Sequence, residues 1–175
     1  MKTIIKFTDE DRQLAKQHTR KGFKGRKKFN DPMRQSYFPN LSEIAVAKYY
    51  GVDWKPVDAV RGPDVNLLDG TGVQVKCVLS SDYYKKYVGY DLMKWQWEQD
   101  RGCDRVVFVS VDEKKAEILS IMDYTAVKQL CEPMSTRMAG DSRNLDADWT
   151  GIPKDKLKQI GIQEEYLNEQ VSSSY

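Results

Sequence analysis

Gly62-Pro63-Asp64-Val65 and, after a short polar turn, Val73-Gln74-Val75-Lys76 bring a carboxylate, an amide and an amine close together in the chain. A Pro-Asp pair leading into a strand, then a polar residue and a Lys two positions apart on the next strand, is the layout of a phosphodiester-cleaving metal site. Strand side chains alternate between faces, so Gln74 and Lys76 leave one face while Val73, Val75, Cys77 and Leu79 leave the other. The expectation is one polar face and one core face.

Asp69-Gly70-Thr71-Gly72 is a turn signal that folds the strand beginning near Asp64 back on the strand of Gln74 and Lys76, gathering the three side chains. Upstream, Asn40 to Gly51 reads as a helix of good formers closed by glycine, with Glu43 in its first turn as a fourth candidate. Plainer roles stand beside these. Asn40 and Glu43 fit a capping box, and Asp64 after Pro63 fits an ordinary turn. Lys76 resists a plain reading, because a central strand with core on both faces would be apolar there. Gln74 and Lys76 together therefore argue for a polar cleft.

The order of parts resembles the PD-(D/E)xK, or restriction-endonuclease-like, nuclease superfamily over roughly Leu41 to Leu130. That order is a helix with Glu43, a strand opened by Pro63-Asp64, a strand with Gln74 and Lys76, a helix, then further strands. One departure is Gln74, where the family usually has Asp or Glu. The resemblance implies an α/β fold, a single restriction-endonuclease-like domain with a central mixed β-sheet flanked by helices. It also implies Mg²⁺ or Mn²⁺ held by Asp64, the Gln74 oxygen and the Val75 backbone carbonyl, with Glu43 orienting water or a second metal. Lys76 would hold or help deprotonate the attacking water. The implied activity is metal-dependent DNA hydrolysis, in a family whose small stand-alone members often serve phage or mobile-element replication, recombination and restriction. RNA as substrate is not distinguished from DNA, and a double-strand cut would call for a homodimer or two successive nicks. A nucleic-acid-binding protein that keeps the fold without turnover is the alternative, and an interaction protein in which the pattern is coincidental is a third.

A chain of 175 residues suits one domain. We divide it into residues 1–40 (strand, helix and basic loop), 41–131 (the nuclease-like core) and 132–175 (a loop-rich extension with short helices). No apolar run approaches the roughly 20 residues of a membrane span, and the start lacks a signal-peptide core, so a cytoplasmic protein without membrane contact is expected. Cys77, Cys103 and Cys131 are isolated thiols, and one His, His18, leaves no zinc quartet and no Ser-His-Asp or Cys-His hydrolase. Net charge is +2, yet Met1 to Ser36 holds 11 Lys/Arg against 4 Asp/Glu, +7, leaving −5 elsewhere. Such asymmetry suits a polyanion partner. Lys21, Lys24, Arg26, Lys27 and Lys28 lie in a Gly-punctuated loop, and Lys85 and Lys86 lie among tyrosines. These seven are the candidate nucleic-acid contacts, with a solvated loop and half-buried tyrosine packing as the competing readings.

Elsewhere Thr3 to Phe7 reads as a strand, and Thr8 caps a helix running to about Arg20. Asp91 to Asp100 reads as a helix, Arg105 to Val111 as a central strand, and Ala116 to Ile121 as its neighbour. Asp123 would cap a short helix to Cys131, Pro133 would end the regular pattern, and Met134 to Trp149 would be loop. Short surface helices are expected over Lys154–Ile160 and Gln163–Gln170.

Overall fold

The computed structural model describes residues 3–19, 36–56, 62–81, 87–88, 102–134 and 149–163. Along the chain come β1 (Ile4–Lys6), α1 (Asp9–Gln17), α2 (Phe38–Tyr50), β2 (Val65–Asn66), β3 (Gly72–Leu79), β4 (Tyr87–Val88), β5 (Arg105–Val111), β6 (Lys115–Asp123), α3 (Tyr124–Leu130), β7 (Glu132–Met134), β8 (Trp149–Pro153) and α4 (Lys154–Ile160). The expected helix over 91–100 lies outside the described residues, as does all of the one expected over Gln163–Gln170 except Gln163, which is not helical.

The valine-rich run becomes β5, the middle strand of a mixed sheet ordered β1-β6-β5-β3-β2. β5 runs parallel to β3 and antiparallel to β6, and β2 returns antiparallel on β3. The class is α/β with a five-stranded mixed sheet. Val107, Val109 and Val111 of β5 join Val73 and Val75 of β3 beneath α2, whose Leu41, Ile44, Ala45 and Val46 are buried. Val106 and Phe108 point to the other face, where Val78, Leu119 and Met122 meet Ile152 and Leu157 from β8 and α4. A bulge where the register slips between Phe108 and Val109 makes Leu119 the extra residue, so Ile118 and Ile121 both reach the first core.

The second face therefore corrects the expectation of a purely polar side to β3. Gln74 is paired with Val106 and Lys76 with Phe108, both fully buried, and Gln74 itself is 6% exposed. A second sheet, ordered β4-β8-β7, takes up the C-terminal part. Pro133 does not end the regular structure but sits on β7, an outer strand, where a missing N–H costs least. Met134 and Trp149 are strand residues too, rather than ends of a loop. α4 forms as expected, but it is no mere surface helix, since Leu157 is fully buried. Asp123 occupies the N-cap position of α3 without a side-chain cap bond; the Tyr124 N–H is taken instead by the Asp104 carbonyl at 2.9 Å. No helix among the described residues is long and apolar enough to cross a membrane.

α1 starts with a reciprocal capping box, Thr8 N–H to Asp11 Oδ2 at 2.7 Å and Asp11 N–H to Thr8 Oγ1 at 3.2 Å. Lys48 of α2 donates to the same Asp11 oxygen. Burial opposes the Asp11 charge, but the bonds from Lys48 and the Thr8 backbone outweigh it and hold the carboxyl below its ordinary 3.8. With a depressed folded pKa, this stabilisation is present above about 3.8 and is lost as pH falls through the lower folded value. Lys48→Met is thus expected to cost up to about 1 kcal/mol at pH 7, because the amine is partly solvated. In thermal melts the gap to wild type should close below pH 3.8; a pH-independent gap would show that the pair contributes only packing.

α2 begins at Phe38 with Pro39 in its first turn, two residues before the expected start, and ends at Gly51 with φ 69°. Asn40 lies inside this helix and donates to the Ala15 carbonyl of α1 at 3.2 Å. It is not the N-cap, so the capping-box reading of Asn40 and Glu43 is set aside.

Candidate active site

The β2–β3 hairpin is the element that builds the site. Leu67 N–H reaches the Thr71 carbonyl at 2.9 Å, Gly70 N–H the Leu67 carbonyl at 3.1 Å, and Asp69 Oδ1 accepts the Thr71 N–H at 2.9 Å. Gly70 takes φ 88°, which a side chain would strain. The turn sets the register Val65 to Val73 and Asn66 to Gly72.

Asp64 stands one residue before β2. Its N–H donates to the Val73 carbonyl at 2.9 Å, the last backbone bond of the hairpin. Beyond that point no described strand pairs with this side of β3, so the N–H of Val75 faces an open edge. The Asp64 carboxylate fills the gap, its Oδ2 accepting the Val75 N–H at 2.7 Å and the Gln74 Nε2 at 2.6 Å. A strand residue sends its N–H and C=O to the same side. The Val75 carbonyl therefore opens on the edge that Asp64 guards.

Gln74 is held at both ends of its amide, because the Cys103 thiol meets its Oε1 at 3.4 Å while its nitrogen faces Asp64. Cys103 is brought there by close backbone packing: Gly72 accepts the Asp104 N–H at 2.8 Å and donates to Asp104 Oδ2 at 2.8 Å. A Cβ on Gly72 would lie 1.9 Å from the Gly102 carbonyl oxygen. Gly72→Ala must push these backbones apart and is expected to cost about 1–3 kcal/mol. That is a fall of several degrees in Tm; an unchanged Tm would mean that the Gly72–Gly102 approach is not part of the fold.

Glu43 comes from α2, which covers the opposite face of β3 from Gln74 and Lys76. Its Oε2 accepts the Trp54 indole N–H at 2.9 Å, and Trp54 in turn meets His18 edge-on at 5.6 Å between ring centres. Cys77 of β3 packs on the α2 side. Burial pushes its thiol up to about 11, the charges of Glu43 and Asp64 add to the rise, and Ser42 and Lys76 oppose it. Trp54→Phe keeps the ring and removes the donor, and is expected to destabilise by about 1–2 kcal/mol. A lower urea midpoint at unchanged slope would report this; an unchanged midpoint would show that the indole bond holds nothing in place.

The structure therefore joins Asp64, Gln74 and the Val75 backbone directly and sets Lys76 on the face of Gln74. Glu43 stands on the α2 side of β3, bonded to Trp54. Lys21, Lys24, Arg26, Lys27, Lys28, Lys85 and Lys86 lie outside the described residues. Sequence reasoning missed Trp54, Cys103 and Asp104. A Trp just past a helix-ending glycine and a Gly-Cys-Asp run just before the central strand were the available signals.

Among the described residues, no three His, Cys, Asp or Glu side chains gather as a metal-binding group. The oxygen donors at hand are the Asp64 carboxylate, the Val75 carbonyl and the Gln74 amide, which suit a hard cation that keeps water in its shell. For Gln74 to join them its amide must turn over, giving up the bond to Asp64; which end of an amide points where follows from its hydrogen-bond partners. Comparison with protein-family models, with curated proteins and with solved structures found no match to this chain.

Proposed function

We propose that this chain is a divalent-metal-dependent DNA nuclease built on a restriction-endonuclease-like domain. The observation that carries the reading is the Asp64 carboxylate set against Gln74 and Val75 where β2 leaves β3, with Lys76 two residues on. Its support is the arrangement of a polar pair and a lysine on a strand that is otherwise core, next to a parallel neighbour.

Asp64, the Val75 carbonyl and Gln74 would hold Mg²⁺ or Mn²⁺. When bound, the cation would polarise the phosphate and stabilise the departing oxygen. Lys76 positions the attacking water and favours its deprotonation, its ammonium offsetting the charge that develops on the phosphate. Glu43, held by Trp54 on the α2 side of β3, has no assigned step in this reading. The basic N-terminal segment draws in the DNA backbone, and a homodimer would place two such sites for a double-strand cut. Three free thiols, Cys77, Cys103 and Cys131, suit a reducing, intracellular setting.

One observation favours a second reading, a nucleic-acid-binding protein without turnover. The Gln74 amide nitrogen occupies the Asp64 oxygen that an acidic residue at 74 would leave for metal. Supercoiled plasmid and labelled single-stranded, duplex and branched DNA, incubated with the protein in Mg²⁺, Mn²⁺ or EDTA, decide between them. Cutting that needs metal and Lys76 supports the nuclease; binding without cutting by the folded protein supports the second reading.

A further inference from the structure

Gln74 is 6% exposed, and an amide buried to that degree is turned one way or the other by its hydrogen-bond partners. An ionised Asp64 accepts and cannot donate, so the amide nitrogen must face it, as the 2.6 Å bond shows. With the nitrogen on Asp64, Oε1 points the other way, and there the Cys103 thiol meets it as a donor at 3.4 Å. Two partners of opposite kind thus hold one amide, and both favour the same orientation. In that orientation the Gln74 oxygen is turned away from Asp64.

The thiol is aimed there by fixed backbone on either side of it. Gly102 stands so close to Gly72 that a Cβ on Gly72 would lie 1.9 Å from the Gly102 carbonyl oxygen. Asp104 is tied three times: its N–H donates to the Gly72 carbonyl, its Oδ2 accepts the Gly72 N–H, and its carbonyl accepts the Tyr124 N–H. Gly72 lies on the strand of Gln74, two residues before it, so the clamp on residues 102 and 104 also fixes the sulfur against the amide. Cys103 packs against the second core as well, and a filling role alone would leave Gln74 indifferent to what the sulfur carries.

We propose that Cys103 is a positioning residue, a latch that keeps the Gln74 oxygen turned from the cation and so sets how tightly the site binds metal. The inference rests on the metal-dependent reading for the cation, but it does not need turnover. To become a ligand the amide must turn, giving up its bond to Asp64 and the bond it accepts from Cys103. The cation makes good the first, because it stands against the same carboxylate. The second is not made good, since a turned amide sets N–H against S–H, donor against donor, until the thiol proton swings aside. A sulfur stripped of its hydrogen offers only lone pairs, and these favour the turned amide.

The test labels the full chain with methyl methanethiosulfonate. The Cys103 sulfur bonds to the thiomethyl sulfur of the reagent, methanesulfinate leaves and the thiol proton passes to solvent. Cys103 is partly exposed, within reach of so small a reagent, and Cys103→Ser treated alongside accounts for Cys77 and Cys131. Labelled wild type should bind Mn²⁺ about threefold to tenfold more tightly by electron paramagnetic resonance titration, the worth of one neutral hydrogen bond. Removing the label with dithiothreitol, followed by dialysis, should restore the original affinity. Cys103→Ser should keep the latch, its hydroxyl donating to the same oxygen, and should not respond to the reagent. Without metal, labelling should move the side-chain amide NMR signals of Gln74, identified by their loss in Gln74→Glu. Equal or weaker Mn²⁺ binding after labelling overturns the latch and leaves the metal site standing, as does a gain shared by Cys103→Ser or one that outlasts the label. Amide signals that stay in place overturn it too, because the thiol then does not hold Gln74. No Mn²⁺ binding by either form overturns the latch and the metal-dependent reading together.

Discussion

Lys76→Ala and Asp64→Asn should each lower metal-dependent DNA cleavage by about a hundredfold to ten-thousandfold, the range for losing one positioned proton-transfer or charge-stabilising group. Lys76 is partly buried on β3 opposite Phe108, so its stem covers apolar surface, and in the proposed reading its amine serves the site. Alanine removes both. Lys76→Met restores the stem without the charge, and the two variants should be equally inactive if the amine is what counts. Recovery of rate in Lys76→Met would show that the lysine acts through packing and would remove it from the chemistry. Binding of DNA in EDTA should stay within a few fold of wild type in all three, which separates loss of chemistry from loss of substrate.

Gln74→Glu is the variant with the next largest effect. Gln74 Nε2 now donates to Asp64 Oδ2 at 2.6 Å, and a carboxylate in its place would set like charges against each other. Without metal, one of the two must take up a proton or the pair must part. The variant should then be less stable than wild type at neutral pH and regain stability in acid. With metal the sign reverses. An added unit charge about 4 Å from the ion interacts by up to about 4 kcal/mol at an effective dielectric of 20, so Mn²⁺ should bind at least about tenfold more tightly. Calorimetric titration of both proteins, paired with melts with and without Mn²⁺, reads both halves. No gain in affinity would place the metal elsewhere than between Asp64 and Gln74.

Much of the scaffold was legible because its signals are local. The Asp69-Gly70-Thr71-Gly72 turn, the Gly51 helix stop, the valine-rich β5 and the helix over Lys154–Ile160 each depend on residues close in sequence. The contact of Asp64 with Gln74 followed from the same hairpin. What the sequence hid was set by residues far apart. Cys103 reaches Gln74 from 29 positions away and Asp104 reaches Gly72 from 32, and no periodicity reports such pairings. Glu43 was read as a capping residue or a site residue because Asn40 precedes it at the right spacing; an earlier helix start at Phe38 removed the first role. Pro133 misled because proline is both a terminator and an acceptable edge-strand residue, and only the pairing with β8 tells them apart. The polar look of the Gln74 and Lys76 face hid a second apolar core, because that core is completed by Ile152 and Leu157 from the far end of the chain.

The place where β2 stops has a colloidal consequence. An unpaired strand edge is a template for another chain, and proteins blunt such edges with charge or cover. β2 is only two residues long, and past it the Val75 N–H would be free to donate to a foreign strand were the Asp64 carboxylate not already bonded to it. The same oxygen that marks the candidate site thus occupies the N–H that a foreign strand would need. An alanine there would strip the guard together with the chemistry, and precipitation could pass for inactivity. Asparagine retains an oxygen for the Val75 N–H, so it is the cleaner way to silence this position.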